Sequence, residues 1–307
     1  MTVTESFSPD FPELLIDIEQ PGPEAPPAPA TGRPVIVWLH GGGWRLQDRT
    51  ARPDFLRHFA ARGFTMASID YRLAPQYRHP AQVEDLRQAL RWLRANSRRL
   101  GIDPARIGLW GSSAGGHVAA YTALTSGVQR LVQDGHMESV PEAYAGFGTQ
   151  VSCVVEGYGP AAIDRLLGGP AASAVEQEAL LGRARAASPA ELQLSRTVPA
   201  GPPPFFILHG VGDTMVPPTQ SQALHECLTA AGGQSLLYLV DGFGHGFRNP
   251  GEVQELGPGI RLDNGRLEAE PNRPYTVQTS ATNQFDTAGQ AASFNLIGDY
   301  FAFHLLG

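Results

Sequence analysis

The sequence predicts an α/β fold, with a mostly parallel central sheet and helices on both faces. Three observations carry this. From residue 35 onward, short apolar runs alternate with segments of helical periodicity. The runs are apolar at almost every position, as in strands buried on both faces. Several of the helical segments stop at glycines, which end a helix readily.

Taken in order, LLIDIEQ reads as a short strand, and the PGPEAPPAPATGRP after it is a loop in which proline rules out a helix. VIVWLH is a buried strand, DFLRHFAARG a helix ending at Gly63, and FTMASIDY the next strand. AQVEDLRQALRWLRANSRRLG places Val83, Leu86, Leu90 and Leu93 at helical spacing and ends at Gly101. RIGLWGSSAGGHVAAYTAL runs from strand through a glycine-bounded turn into helix. VSCVVEGYG is a further strand; PFFILHG precedes the helix TQSQALHECLTAAGG, and SLLYLV precedes a last helix around AASFNLIGDYFAFHLL. Strands alternating with helices imply parallel crossovers within one layered domain, here residues 1–307. Residues 127–149 and 248–286 fall outside the alternation and read as loop or lid-like excursions near the candidate site.

Composition excludes several function classes. The chain of 307 residues is 42% hydrophobic and 17% charged, with a net charge of −7. It therefore reads as globular, and its acidic balance argues against nucleic acid. All 23 basic residues are arginine, so Schiff-base, pyridoxal and P-loop lysine chemistries are absent. Two cysteines, Cys153 and Cys227, do not make a disulfide framework. The N-terminus lacks a basic region followed by an apolar one, and no run approaches a membrane span of about 18 apolar residues. A cytoplasmic protein is the expectation; oligomeric state is not encoded in any feature of the sequence.

Chemistry concentrates in a few short stretches. GSSAG (Gly111 to Gly115) matches G-x-S-x-G between the strand IGLW and the helix GHVAAYTAL, the context in which a sharp turn exposes a central serine. Ser113 is the candidate nucleophile; Ser112 is off-centre. A serine hydroxyl needs a base. Among nine histidines, His245 in DGFGHGF follows a strand within a glycine-flanked loop at the same sheet edge. His209, His117 and His225 suit hydrogen-bonded or solvated roles, and His40 an orienting one. The acid expected between them is Asp213, just past the run FFILHG, although a turn or N-cap role suits it too. Asp241 is a rival that lies very near His245 in sequence. The three glycines in VIVWLHGGGWR then acquire a purpose: amides of Gly42 and Gly43, with that of Ala114, can approach an oxyanion where no Cβ intervenes.

HGGGW, SIDYRLAPQYRHPAQVEDLRQALRWLRAN, GSSAGGH, GVGDTMVP and GFGHGF together resemble the α/β-hydrolase superfamily, in particular its hormone-sensitive-lipase and BD-FAE-like esterase branch. The similarity covers roughly residues 14–248 and the last helix. It implies a cofactor-free, metal-free serine esterase with the triad Ser113, Asp213 and His245 and the oxyanion hole Gly42, Gly43 and Ala114. The substrate implied is a small or medium carboxylic ester. Trp44, His117, Tyr158, Met215 and Phe247 are candidate substrate-contacting residues; for Trp44, a pocket wall or a core position, the packed-in reading is the safer. The stretch 248–286 departs from the family pattern, in which the histidine leads directly into the last helix. Amide or formamide hydrolysis of the kynurenine-formamidase kind, acyl transfer or a cyclase step on the same triad are the alternatives, as is a non-catalytic binding protein on the same fold.

Overall fold

The computed structural model describes residues 2–133, 136–161, 194, 198–257 and 260–307. Nine strands form one sheet: β1 (Thr2–Ser6), β2 (Leu15–Glu19), β3 (Arg33–Leu39), β4 (Thr65–Ile69), β5 (Ile102–Ser112), β6 (Cys153–Gly157), β7 (Phe205–Gly210), β8 (Ser235–Val240) and β9 (Tyr275–Thr279). Their spatial order is β1-β2-β4-β3-β5-β6-β7-β8-β9. The six central strands from β4 to β8 are parallel, and antiparallel pairs close both edges.

Alternation along the central strands divides the core in two. Val35, Val37 and Leu39 point to one face with Leu109, Val154 and Ile207; Ile36 and Trp38 point to the other with Trp110, Val155, Phe206 and Leu208. On the first face pack α1 (Ala81–Ala95), through Val83, Leu86, Leu90 and Leu93, and α2 (Ala114–Leu124). α3 (Thr219–Ala230) adds Leu224 and Leu228. On the second face α4 (Phe294–Leu305) lays Ile297, Phe301 and Leu305 against Trp110 and its neighbours. Every residue of α2 is buried, which explains a segment apolar on all sides.

Most sequence expectations for the elements hold, with informative differences. Gly63 takes a left-handed conformation at φ 99°, and Gly101 does so at φ 65°. Each ends its helical segment. DFLRHFAARG is not one helix: a four-residue α-turn, Phe55–His58, gives way to a 3₁₀ turn, Ala60–Arg62. In 248–286, where composition suggests loop, Gln254–Gly257 pairs with Ile260–Leu262, Arg266–Ala269 is a short helix and Tyr275–Thr279 is β9 itself. Edge strands bury little, so β1 and β9 lack the continuous apolar signal that marks the central strands. Residues 134–135 and 258–259, one pair in each excursion, lie outside the described residues.

The excursion 127–149 is tied to α1 by a buried ion cluster. Glu138 accepts from Arg87 Nε at 2.9 Å and from Arg91 Nη1 at 2.5 Å, and its Oε2 also accepts the Leu131 amide at 2.8 Å. The two guanidiniums donate in turn to the carbonyls of Thr125, Val128 and Gln129. Desolvated charges are tolerated here because each finds several partners.

Candidate active site

β5 meets α2 in an abrupt turn at Ser113, whose φ is 54°. That conformation is sparsely populated by residues with a side chain. Close packing enforces the turn. A Cβ on Gly115 would collide with the carbonyl oxygens of Leu39 and His40 on β3, and one on Gly111 with the carbonyl of Gly115. The two outer glycines of GSSAG are therefore what let helix and strands approach. The Ser113 amide donates to the Gly157 carbonyl at 2.8 Å, fixing the turn against β6, and Ser113 itself remains partly exposed.

His245 Nε2 lies 2.9 Å from Ser113 Oγ, and its Nδ1 lies 2.7 Å from Asp213 Oδ2. A carboxylate only accepts, so Nδ1 carries the proton and Nε2 is left to accept from the hydroxyl. Asp213 Oδ1 accepts the amides of Met215 and Val216, both at 2.9 Å. Burial works to raise the Asp213 pKa, but the adjacent His245 and hydrogen bonds from His209 and His245 outweigh it and hold the carboxyl well below the usual range. The amide bonds of the turn and the hydrogen bond to His245 thus coexist in one side chain. His209 is a contributor the sequence reading passes over: its Nε2 donates to the Val216 carbonyl at 2.8 Å and stands 3.3 Å from Asp213 Oδ2, while its Nδ1 lies 2.7 Å from Ser221 Oγ. Its place four residues before Asp213 was the available signal.

The residues following His245 anchor its loop. Leu262 forms a bridge with His245, whose carbonyl accepts the Asp263 amide at 2.7 Å, and Asp263 Oδ2 accepts the Gly244 amide at 2.6 Å. Asp241, the rival acid, has its amide bonded to the Pro274 carbonyl at 2.8 Å, at the start of the β9 pairing.

Beside Ser113 runs the glycine loop after β3. Gly42 has a φ of 93° and Gly43 a φ of 58°, values that favour glycine. A Cβ on Gly41 would sit 3.4 Å from Ser113 Cβ. Among the described residues the Gly42 and Gly43 amides have no backbone acceptor, and Ala114 opens α2 immediately after the serine. Tyr71 holds the loop from behind, its hydroxyl donating toward the carbonyls of His40 at 2.9 Å and Gly41 at 3.1 Å. The His40 ring stacks on Tyr71 at 4.2 Å, and burial pushes its pKa down to about 4.

Of the five residues expected to touch substrate, Met215 is partly exposed and the other four are buried. Trp44 packs edge-on against His117, ring centroids 5.4 Å apart. Tyr158 and Phe247 have no exposed surface. The Tyr158 hydroxyl lies 2.8 Å from Ser112 Oγ and 3.2 Å from Asn249 Oδ1, and Phe247 stacks on Phe243 at 4.9 Å. Both are packed inside the fold. Among the described residues no group of three or more His, Cys, Asp or Glu side chains is arranged to hold a metal, and no helix is long and apolar enough to cross a membrane.

The parallel sheet, the serine on its strained strand-to-helix turn, and the acid and histidine on later strand ends define an α/β-hydrolase fold. Solved structures agree: a truncated carbohydrate esterase from gut microbiota is similar with a TM-score of 0.66 and 25% identity, covering 80% of this chain and 89% of that one. The propionate-bound esterase Est2 from the Planctomycetes species Thermogutta terrifontis is similar with a TM-score of 0.63 and 27% identity, over 82% and 87% of the two chains. Esterase LipC of Mycobacterium tuberculosis is 32% identical over 250 residues, 78% of this chain and 58% of LipC, so the chain spans little more than half of that relative. The BD-FAE family model matches residues 24–228, and the chain belongs to the BD-FAE family.

Proposed function

We propose that the chain is a carboxylic-ester hydrolase working through an acyl-serine intermediate on Ser113. The observation that carries this reading is the continuous hydrogen-bonded line from Asp213 through His245 to Ser113 Oγ, beside a loop of glycine amides. In the proposed cycle His245 Nε2 takes the Ser113 proton as Oγ attacks the ester carbonyl, and Asp213 stabilises the resulting imidazolium. The oxyanion is received by the amides of Gly42, Gly43 and Ala114, each such donor being worth roughly 3 kcal/mol. His245 then protonates the departing alcohol, and in the second half activates a water that releases the acid and restores Ser113.

A short acyl group is the substrate favoured, because the structurally similar Est2 is described with propionate bound. Met215, the partly exposed candidate, contacts the substrate in this reading. A cytoplasmic location and a small-molecule ester as substrate belong to the same proposal. Hydrolysis of p-nitrophenyl acetate, butyrate and octanoate tests it: the chain should release nitrophenol fastest from the two shorter esters, and Ser113→Ala should be at least about 10⁴-fold slower. Absence of turnover on all three, or turnover by Ser113→Ala at the parent rate, would overturn the reading.

A further inference from the structure

Arg248, three residues past His245, turns its side chain inward and is completely buried. Its Nη2 donates to the Gly111 carbonyl at 2.7 Å, two residues before Ser113 on β5. The guanidinium lies 5.1 Å from the centre of the Tyr158 ring and 5.9 Å from Trp110, and Gly157 leaves it room, since a Cβ there would collide with it. Tyr158 in turn packs its ring edgewise against His245 at 4.9 Å. Asn249 extends the connection, its Oδ1 accepting from Ser112 Oγ at 2.8 Å. The segment after the histidine therefore grips the strand that carries the serine, from below, through a cation and an amide.

We propose that Arg248 is a positioning residue for the Ser113–His245 pair, which locks the histidine loop to the serine strand through the Gly111 carbonyl and holds a fixed positive charge beneath the turn. This inference rests on the esterase reading above. Arginine keeps its proton in a protein interior. Burial lowers the Arg248 pKa while Tyr158 and Glu156 oppose that, and burial pushes Glu156 itself up to about 8, so near neutrality the cation is only partly compensated. The groups in contact with His245 are Asp213 at 2.7 Å, with His209 behind it on β7, Ser113, the Tyr158 ring just past β6, and the Asp263 amide on its carbonyl. The guanidinium carbon stands 5.1 Å from the Tyr158 ring centre, which itself stands 4.9 Å from that of His245.

The test compares the parent with Arg248→Met and Arg248→Lys, measuring kcat and KM separately on p-nitrophenyl acetate, with thermal melting to verify folding. Arg248→Met should lose about 30-fold or more in kcat with KM nearly unchanged. Arg248→Lys keeps the charge but not the forked hydrogen-bond geometry, so it should recover part of that loss and stay about tenfold below the parent in kcat. A folded Met variant with parental kcat overturns the proposal. Should the Met variant not fold, the Lys variant decides, and parental kcat there overturns it equally. Uptake of a fluorophosphonate by the parent at Ser113 tells the two readings apart: its absence removes the esterase reading, whereas uptake with indifferent Arg248 variants removes only this inference.

Discussion

Asp213 Oδ2 faces two histidines: His245 Nδ1 at 2.7 Å and His209 Nε2 at 3.3 Å. With Oδ1 taking the amides of Met215 and Val216, the carboxylate has little rotational freedom and a single orientation toward His245. Asp213→Asn keeps the shape but presents a donor or a weaker acceptor to Nδ1, favouring the wrong tautomer. Its kcat should fall by about 10⁴ with the melting temperature nearly unchanged, measured by ester hydrolysis and calorimetry. A loss below about tenfold would assign Asp213 to the turn alone.

Gly115→Ala should be among the most damaging single changes, since its Cβ meets the backbone oxygens of Leu39 and His40, which no side-chain rotation relieves. A loss of at least about 3 kcal/mol is expected in urea denaturation. Gly127, with open space around its Cβ position and no positive φ, is the control. Gly127→Ala should change stability by less than about 1 kcal/mol. Equal effects at the two positions would refute the packing account.

Glu138→Gln removes the anion that Arg87 and Arg91 share while leaving both guanidiniums buried. It should cost about 3–5 kcal/mol in denaturant unfolding. Breaking an exposed pair such as Arg99 with Glu5 should cost under about 1 kcal/mol. A small loss at Glu138 would mean that residues 127–149 are held by other contacts.

His40 ties the glycine loop after β3 to pH. Burial pushes its pKa down to about 4 from an ordinary 6.5, so between those values the unfolded chain binds the extra proton and the folded chain does not. Its contribution is therefore constant above about pH 6.5, declines as pH falls toward 4, and levels off below. The loss approaches about 3 kcal/mol. Urea unfolding at pH 7 and pH 4.5 should show a smaller decline for His40→Asn than for the parent; identical declines would contradict it.

How far the site could be read from sequence depended on whether each feature is local. Ser113, Asp213 and His245 stand at strand ends within short glycine-bounded stretches, and the glycines of GSSAG and HGGGW are there because backbone or ligand must come close. Such demands leave local marks. Tyr158 and Phe247 were expected at the substrate; Phe247 stacks on Phe243 of its own loop, whereas Tyr158 is bonded inside to Asn249, 91 residues further along the chain. The same holds for Arg248 against Gly111 and for Glu138 against α1, whose partners are separated by 137 and 51 residues. β9 escaped notice because an edge strand shows neither a continuous apolar run nor a buried face.

Intact-mass analysis after exposure to a fluorophosphonate probe goes most directly to the claim that Ser113 is an activated nucleophile. The account predicts one covalent adduct on the parent chain and none on Ser113→Ala or His245→Ala, with both variants folded. A parent chain that takes up no probe, or a Ser113→Ala chain that gains the same adduct, would contradict it.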